Sequence, residues 1–450
     1  MTEPIPFQSN ERWQGDLFSL KTKDRDYKIH DFGEYWIAEH RFKWQYPLDP
    51  YALLDNHQGL WKVYWRSKGK KLVILGMGLC DQRTDIDGIP DSLGLRFYGG
   101  MPFYGQNRLA HSWGEFNEEF FFLPALEWQI DTGIAYLSVR AKVAKLSSNY
   151  EIENALRQTV SLYKGQKRQH YQMPQLEQSL EEPRFDNWHT LVDEARKQIA
   201  EGQLDKVVLS RTKTLSFDRP LPLGYVMSEL AQIDEQSYLF ALQAPSGLAF
   251  VGRSPERLLA WSGRYVELEA IAGTRKRVDS CEEDKDYATQ LQSSGKDLLE
   301  HRVVTEYISD MLKKYCDQWH QDEQERLFQL KHVQHIISRF SGRCKTGVHP
   351  VDFCRALHPT PAVGGRPLKA ALDFLANKEP IDRGWFAGPI GWTDGQNGDF
   401  AIGIRTALLT DCNLKVFAGA GVVAESDPSS EWQETEDKMK NFMDLFELRL

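Results

Sequence analysis

The segment "FAGAGVVAESDPSSEWQETEDK", residues 417–438, joins an apolar run with glycines to a charged run. Ser429 or Ser430 is expected to cap a helix that starts near Glu431. Glu431, Glu434 and Lys438 then fall at i, i+3 and i+7, so two carboxylates and an ammonium share one face. The same spacing suits a solvated face with one Glu434–Lys438 pair. Upstream, Gly419-Ala420-Gly421 reads as a turn whose backbone N–H groups can approach an anion closely. "SSGKDLLEHRVV" sets Lys296 and Glu300 four residues apart on a second helix. Alone, this is a surface pair. Facing Glu434, Glu300 would complete an all-oxygen site suited to Mg²⁺, which takes one or two carboxylates with waters and substrate oxygens.

Four other stretches hold groups that could move protons or grip anions. Lys206 begins the apolar run of "DKVVLSR". It is either a strand-end lysine with its head in water or, pointing into a closed cleft, a general base. In "GRSPERL", Pro255 stiffens a turn that presents Glu256, a proton donor if its carboxyl is buried. Arg405 in "IGIRTALL" is a charge within an apolar strand and calls for a carboxylate partner from protein or ligand. His358 in "LHPTPAVGGRP" lines a pocket or holds a loop, and the residues leave that open.

These groups need elements to position them. Residues 1–163 read as β-rich, with strands at "KKLVILGMG" and "AYLSVRAKVAKL". Residues 164–188 are polar, carry two prolines and lack periodicity, which marks a linker. After it, Leu191, Val192, Ala195 and Ile199 share one helical face, with Gly202 closing the helix. Residues 189–450 mix strands and helices without βαβ rhythm; "DFAIGIRTALLT" and "LKVFAGAGVVA" read as neighbouring strands. A long helical stretch, "EDKDYATQLQSSGKDLLEHRVVTEYISDMLKKYC", has a possible break at Gly295. The expected fold is α+β, built on antiparallel sheets.

The 450 residues carry a formal charge of −9, which argues against a nucleic-acid partner. Six cysteines without CxxC spacing read as free thiols of a reducing compartment. The N-terminus lacks a signal-peptide pattern, and no run of about 18 apolar residues spans a membrane. A cytoplasmic protein is expected.

Taken in chain order, "DKVVLSR", "FVGRSPERL", "EAIAGT", "SGKDLLEH", "HPTPAVGG", "IGIRTA" and the closing segment resemble the chorismate-utilising enzymes. That family includes anthranilate, aminodeoxychorismate, isochorismate and salicylate synthases. The resemblance is close over residues 189–450. The upstream "YGGMPF" and "FFLP" stretches resemble the isochorismate synthase branch, in particular its longer menaquinone-pathway type.

The resemblance implies the anthranilate synthase component I-like fold, two large antiparallel sheets with flanking helices, and a chorismate site that uses Mg²⁺. It implies that Glu300 and Glu434 hold the metal, with Glu431 supporting it through water. Lys206 would be the base that activates water for attack at C2, and Glu256 the acid that protonates the leaving C4 hydroxyl. Thr274, His358, Ala362, Trp385, Arg405, Gly419, Gly421 and Lys438 would contact substrate.

Within the family, "EAIAGT" differs from the PIAGT of anthranilate synthases, and no LLES-type tryptophan-sensing segment is found. Ala272 stands where aminodeoxychorismate synthases carry lysine. Ammonia chemistry with a glutamine amidotransferase subunit is therefore not expected, and a monomer is the default. Salicylate synthase shares the acid, base and metal residues, but tends to have tyrosine where this chain has Trp385. A non-catalytic chorismate-binding descendant would be marked by loss of one of these groups, and all are present.

Overall fold

The computed structural model describes residues 27–46, 48–90, 94–104, 111–131, 133–163, 165, 173–278, 280–322, 326–330 and 333–447. All pairings among the described strands are antiparallel, and they link into two long runs that share one strand, Phe120–Asp131. Along one edge, Phe120–Asp131 pairs with Val73–Arg83. Its other edge divides. Phe120–Phe122 bond Phe97–Gly100, whereas Leu126–Asp131 bond Ile134–Ala144.

The first run goes from Val73–Arg83 through Lys62–Arg66, Leu239–Gln243, Ala249–Gly252, Thr406–Thr410 and Asn413–Val422 to Lys206–Phe217. The second goes from Phe97–Gly100 through Pro389–Thr393, Asn397–Ile402, Arg257–Ser262 and Tyr265–Lys276 to Val333–Cys344. Residues 1–163 thus supply strands to both expected sheets.

Alternation along the strands sorts the side chains into two cores. From the first run, Phe240, Leu242 and Phe250 point to one side, where they meet Phe400, Leu258 and Leu268 of the second run. Their neighbours Leu239, Ala241, Ala249 and Val251 point to the opposite side, where the helices Asn149–Val160, Leu223–Ile233 and Pro428–Glu447 cover them. A period of two that is buried on both faces is what a sheet sandwiched between layers requires.

Several local expectations change. The stretch 164–188 contains a strand, Leu176–Glu182, that pairs with Lys206–Phe217, and the helix Phe185–Ala200 begins within it. The strand is almost wholly exposed and held by backbone bonds, so no hydrophobic alternation marks it. The long helical stretch divides at Ser294, which caps Gly295–Tyr315 by accepting from the Asp297 N–H. The last helix starts at Pro428, and Asp427 rather than a serine caps it, taking the Ser430 N–H at 2.8 Å. Proline suits the first helical position because its missing N–H would have no partner there. Among the described residues, no helix is long and apolar enough to cross a membrane.

Candidate active site

Lys206 opens the Lys206–Phe217 strand, which is interior: Asn413–Val422 lies on one edge, and Gly365–Arg366 covers its first residues on the other. The lysine is 5% exposed, so its head group stays inside the protein rather than reaching water. Gly421 is opposite Val208 and beside it. A methyl group at Gly421 would sit 2.8 Å from Lys206 Cε and 3.6 Å from Glu300 Oε1. One at Gly419 would sit 3.0 Å from the Leu209 carbonyl and 3.1 Å from Ser210 Oγ. The Gly-Ala-Gly stretch is therefore not a turn. It is extended strand, and its glycines make room for a lysine and a carboxylate.

The closing helix lies against this strand. Lys438 Nζ donates to the Gly419 carbonyl at 2.8 Å and pairs with Glu434 Oε1 at 2.5 Å. Glu300, on Gly295–Tyr315, lies 3.9 Å from Lys206 Nζ. Lys206, Glu300, Glu434 and Lys438, together with Glu256, Arg405 and Ala362, line one cavity of about 210 Å³.

Glu256 is 4% exposed. Burial pushes its carboxyl up to about 8, against the pull of Lys68, Lys206 and Lys438. At neutral pH it carries its proton and can donate it. Arg405 is not within a strand: Asn397–Ile402 and Thr406–Thr410 are separate, and Arg405 sits between them at φ 55°. That left-handed turn bends the chain so that the guanidinium enters the cavity. Burial lowers it to about 10, while Glu434 and Asp437 favour its charge.

Other lining groups escaped the sequence reading. Asp297 is three residues before Glu300 on the same helix and holds Arg275 at 2.6 Å. His335 Nδ1 lies 3.1 Å from the Gly273 carbonyl, and burial drives its imidazole down to about 3, keeping it neutral. Ser210 shares the Lys206 face of the strand, four residues on. The spacing to Glu300 and to Lys206 was the available signal for Asp297 and Ser210; His335 and Arg383 had none. Arg383 forms a wholly buried pair with Glu379, with bonds of 2.7 Å from both Nε and Nη2, and also donates to the Val363 and Val208 carbonyls.

Three expected contacts fall elsewhere. Trp385 is fully buried in the core between the sheets, with Nε1 donating to the Glu118 carbonyl at 3.0 Å, while its neighbour Phe386 lines the cavity. His358 lines a second cavity of about 490 Å³ and packs edge-on against Phe103, with burial lowering it to about 4. Glu431 is 1% exposed in the first turn of its helix and does not line the cavity of Lys206 and Glu256. The Thr274 side chain lies outside the described residues.

Among the described residues, no three carboxylate, histidine or cysteine side chains gather closely enough to hold an ion by themselves. Glu300 and Glu434 open onto one cavity as two carboxylates, each also facing a lysine ammonium, Lys206 at 3.9 Å from Glu300 and Lys438 at 2.5 Å from Glu434. That set fits Mg²⁺ completed by water and substrate oxygens, and not a closed structural metal site.

The steric role of Gly421 gives a direct expectation. Gly421→Ala must move Lys206 or the strand itself, and a displacement near 1 Å at a reacting group lowers kcat by about 10²-fold. Steady-state rates alongside a thermal melt separate this from unfolding.

The chain belongs to the chorismate binding enzyme family, whose profile matches residues 37–447. It is 34% identical over 357 residues to an isochorismate synthase, MenF, of Bacillus subtilis, covering 78% of this chain and 74% of that protein. Its fold matches the menaquinone-specific isochorismate synthase MenF of Escherichia coli, with a TM-score of 0.83, 25% identity and coverage of 96% and 98% of the two chains. Anthranilate synthase component I of Streptococcus pneumoniae shares the fold, with a TM-score of 0.64 at 18% identity over 98% and 99% of the chains.

Proposed function

We propose that the protein is an isochorismate synthase, converting chorismate to isochorismate by adding water at C2 and expelling the C4 hydroxyl, in the service of menaquinone synthesis. The observation that carries the mechanism is a protonated acid and a buried lysine on one small cavity: Glu256, pushed up to about 8, and Lys206, both lining it.

Water is a poor nucleophile and hydroxide a poor leaving group, so the reaction needs both a base and an acid. Lys206 takes a proton from the attacking water as oxygen bonds to C2. The ring electrons shift, the C4–O bond breaks, and Glu256 supplies the proton with which that oxygen leaves as water. Lys206 is left protonated and Glu256 ionised, and exchange with solvent restores both. Arg405 and Lys438 bring positive charge to the substrate carboxylates.

Glu300 and Glu434 would hold Mg²⁺, which would supply positive charge against the substrate's ring carboxylate. Glu434→Ala is therefore expected to raise the Mg²⁺ concentration for half-maximal rate by roughly 10–100-fold or more. An unchanged titration removes Glu434 from the ligand set.

The enzyme works without an amidotransferase subunit and in a reducing compartment. Six cysteines without CxxC spacing support the latter.

Incubation with chorismate and Mg²⁺, without ammonia, tests the reading by chromatography. Isochorismate approaching a partial equilibrium without pyruvate is the expected product. Salicylate with stoichiometric pyruvate would make the protein a salicylate synthase, and bound but unconverted chorismate would make it a non-catalytic binder.

A further inference from the structure

Outside the lining of the cavity, the hairpin between Lys62–Arg66 and Val73–Arg83 turns at Lys68–Lys70. The turn carries Lys68 inward to an ion pair with Glu269 of the Tyr265–Lys276 strand. The two side chains are 14% and 7% exposed. Lys68 Nζ also lies over the Phe328 and Tyr238 rings, at 5.2 and 5.7 Å from their centroids. This places an ammonium from the amino-terminal hairpin against the second sheet.

Glu269 lies near Glu256 by strand pairing. Tyr265–Lys276 bonds to Arg257–Ser262 with Ala260 opposite Glu267, so Glu269 runs toward the end of the pairing from which Glu256 emerges. Two residues beyond Glu269, Ile271 lines the cavity together with Glu256. Next to Glu256, Arg257 donates to the Tyr238 hydroxyl at 2.8 Å, and that hydroxyl donates to Asp399 at 2.6 Å. Glu256 therefore lines the cavity directly beside a network of paired polar and charged groups.

We propose that Lys68 and Glu269 are a positioning pair for the acid of the reaction: the buried pair, outside the cavity lining, fixes how readily Glu256 releases its proton. The inference rests on the reading of Glu256 as that acid. Its electrostatic basis has a definite sign. The charges that act on Glu256 are Lys68 and Glu269 from outside the cavity lining, and Lys206 and Lys438 from the cavity. Lys68 favours the ionised carboxylate more than either cavity lysine does, and Glu269 opposes it. Removing the two partners one at a time must move the acid in opposite directions, whereas loss of packing would not. Neither Lys68 nor Glu269 lines the cavity, so substrate contacts stay intact.

The test is the pH dependence of kcat/KM for the wild type, Lys68→Met, Glu269→Gln and the double variant, with melts to confirm folding. In the wild type, activity falls on the basic side as Glu256 ionises. The basic limb is expected to rise by about one pH unit in Lys68→Met and to fall by about one in Glu269→Gln, with the double variant returning toward the wild type. If one single variant fails to fold, the other single against the double, which leaves no lone buried charge, still decides the sign. Limbs that stay in place, or move the same way in both singles, overturn the inference while leaving Glu256 as the acid. A wild type without a basic limb, or Glu256→Gln with near-normal turnover, overturns the acid assignment and this inference with it.

Discussion

Glu256→Gln is expected to lower kcat by about 10²–10⁴-fold while leaving the fold intact, because general acid catalysis contributes on that scale. Glutamine keeps the shape and the hydrogen-bonding ends of the side chain, so the sandwich around it need not repack. What it cannot do is give a proton to the departing C4 oxygen. The wild-type carboxyl can, since burial raises it to about 8. Its sign against pH follows. Below that value the acid holds its proton, and above it the carboxylate forms and turnover declines. Lys206→Ala is expected to remove activity to a similar extent from the other side of the reaction, by leaving the water without a base. A near-normal rate in either variant removes that residue from its role.

The second large effect concerns stability. Arg383→Met is expected to destabilise the protein by about 3–5 kcal/mol, the scale for stranding one partner of a buried ion pair. Both Arg383 and Glu379 have fully buried side chains. Without the guanidinium, the Glu379 carboxylate keeps its bond from the Ser210 N–H at 2.8 Å but loses both bonds from Arg383. The Val363 and Val208 carbonyls lose the donors that tie the "TPAV" loop to the lysine strand. Denaturant unfolding monitored by tryptophan fluorescence reads the change. The double variant Arg383→Met/Glu379→Gln should recover much of the loss, because it leaves no unpaired charge inside. A single variant as stable as the wild type would contradict the burial argument.

Much of the site was legible because its residues sit in distinctive short contexts. Glu434 and Lys438 were readable from helical spacing, Lys206 from its place at the head of an apolar strand, and Glu256 from the turn made by Pro255. The sheets were legible where both faces are buried, as in Val73–Arg83. The strand Leu176–Glu182 was not, because its side chains face water and only its backbone is held. Gly419 and Gly421 were legible as important but misread in kind. Their reason lies in the size of Lys206 and Ser210 on the next strand, which no local pattern carries. Trp385 was placed one residue out: in the turn that precedes Pro389–Thr393, Phe386 lines the cavity and Trp385 is packed into the core. Arg383 stayed hidden because, although Glu379 stands only four residues before it, the Val363 and Val208 carbonyls that it binds come from distant segments.

Phe97–Gly100 finds one of its two partners in Pro389–Thr393, and Lys62–Arg66 finds one of its own in Leu239–Gln243. On the ribosome, the first of these strands emerges roughly 290 residues ahead of its partner, a wait on the order of 15–60 s at ordinary elongation rates. Throughout that interval its free edge is open to pairing with other nascent chains. Chains released early, before residue 389, keep that edge for good. Overexpression is therefore expected to yield truncated products in the insoluble fraction, and slower synthesis at lower temperature with added chaperone should favour soluble full-length enzyme.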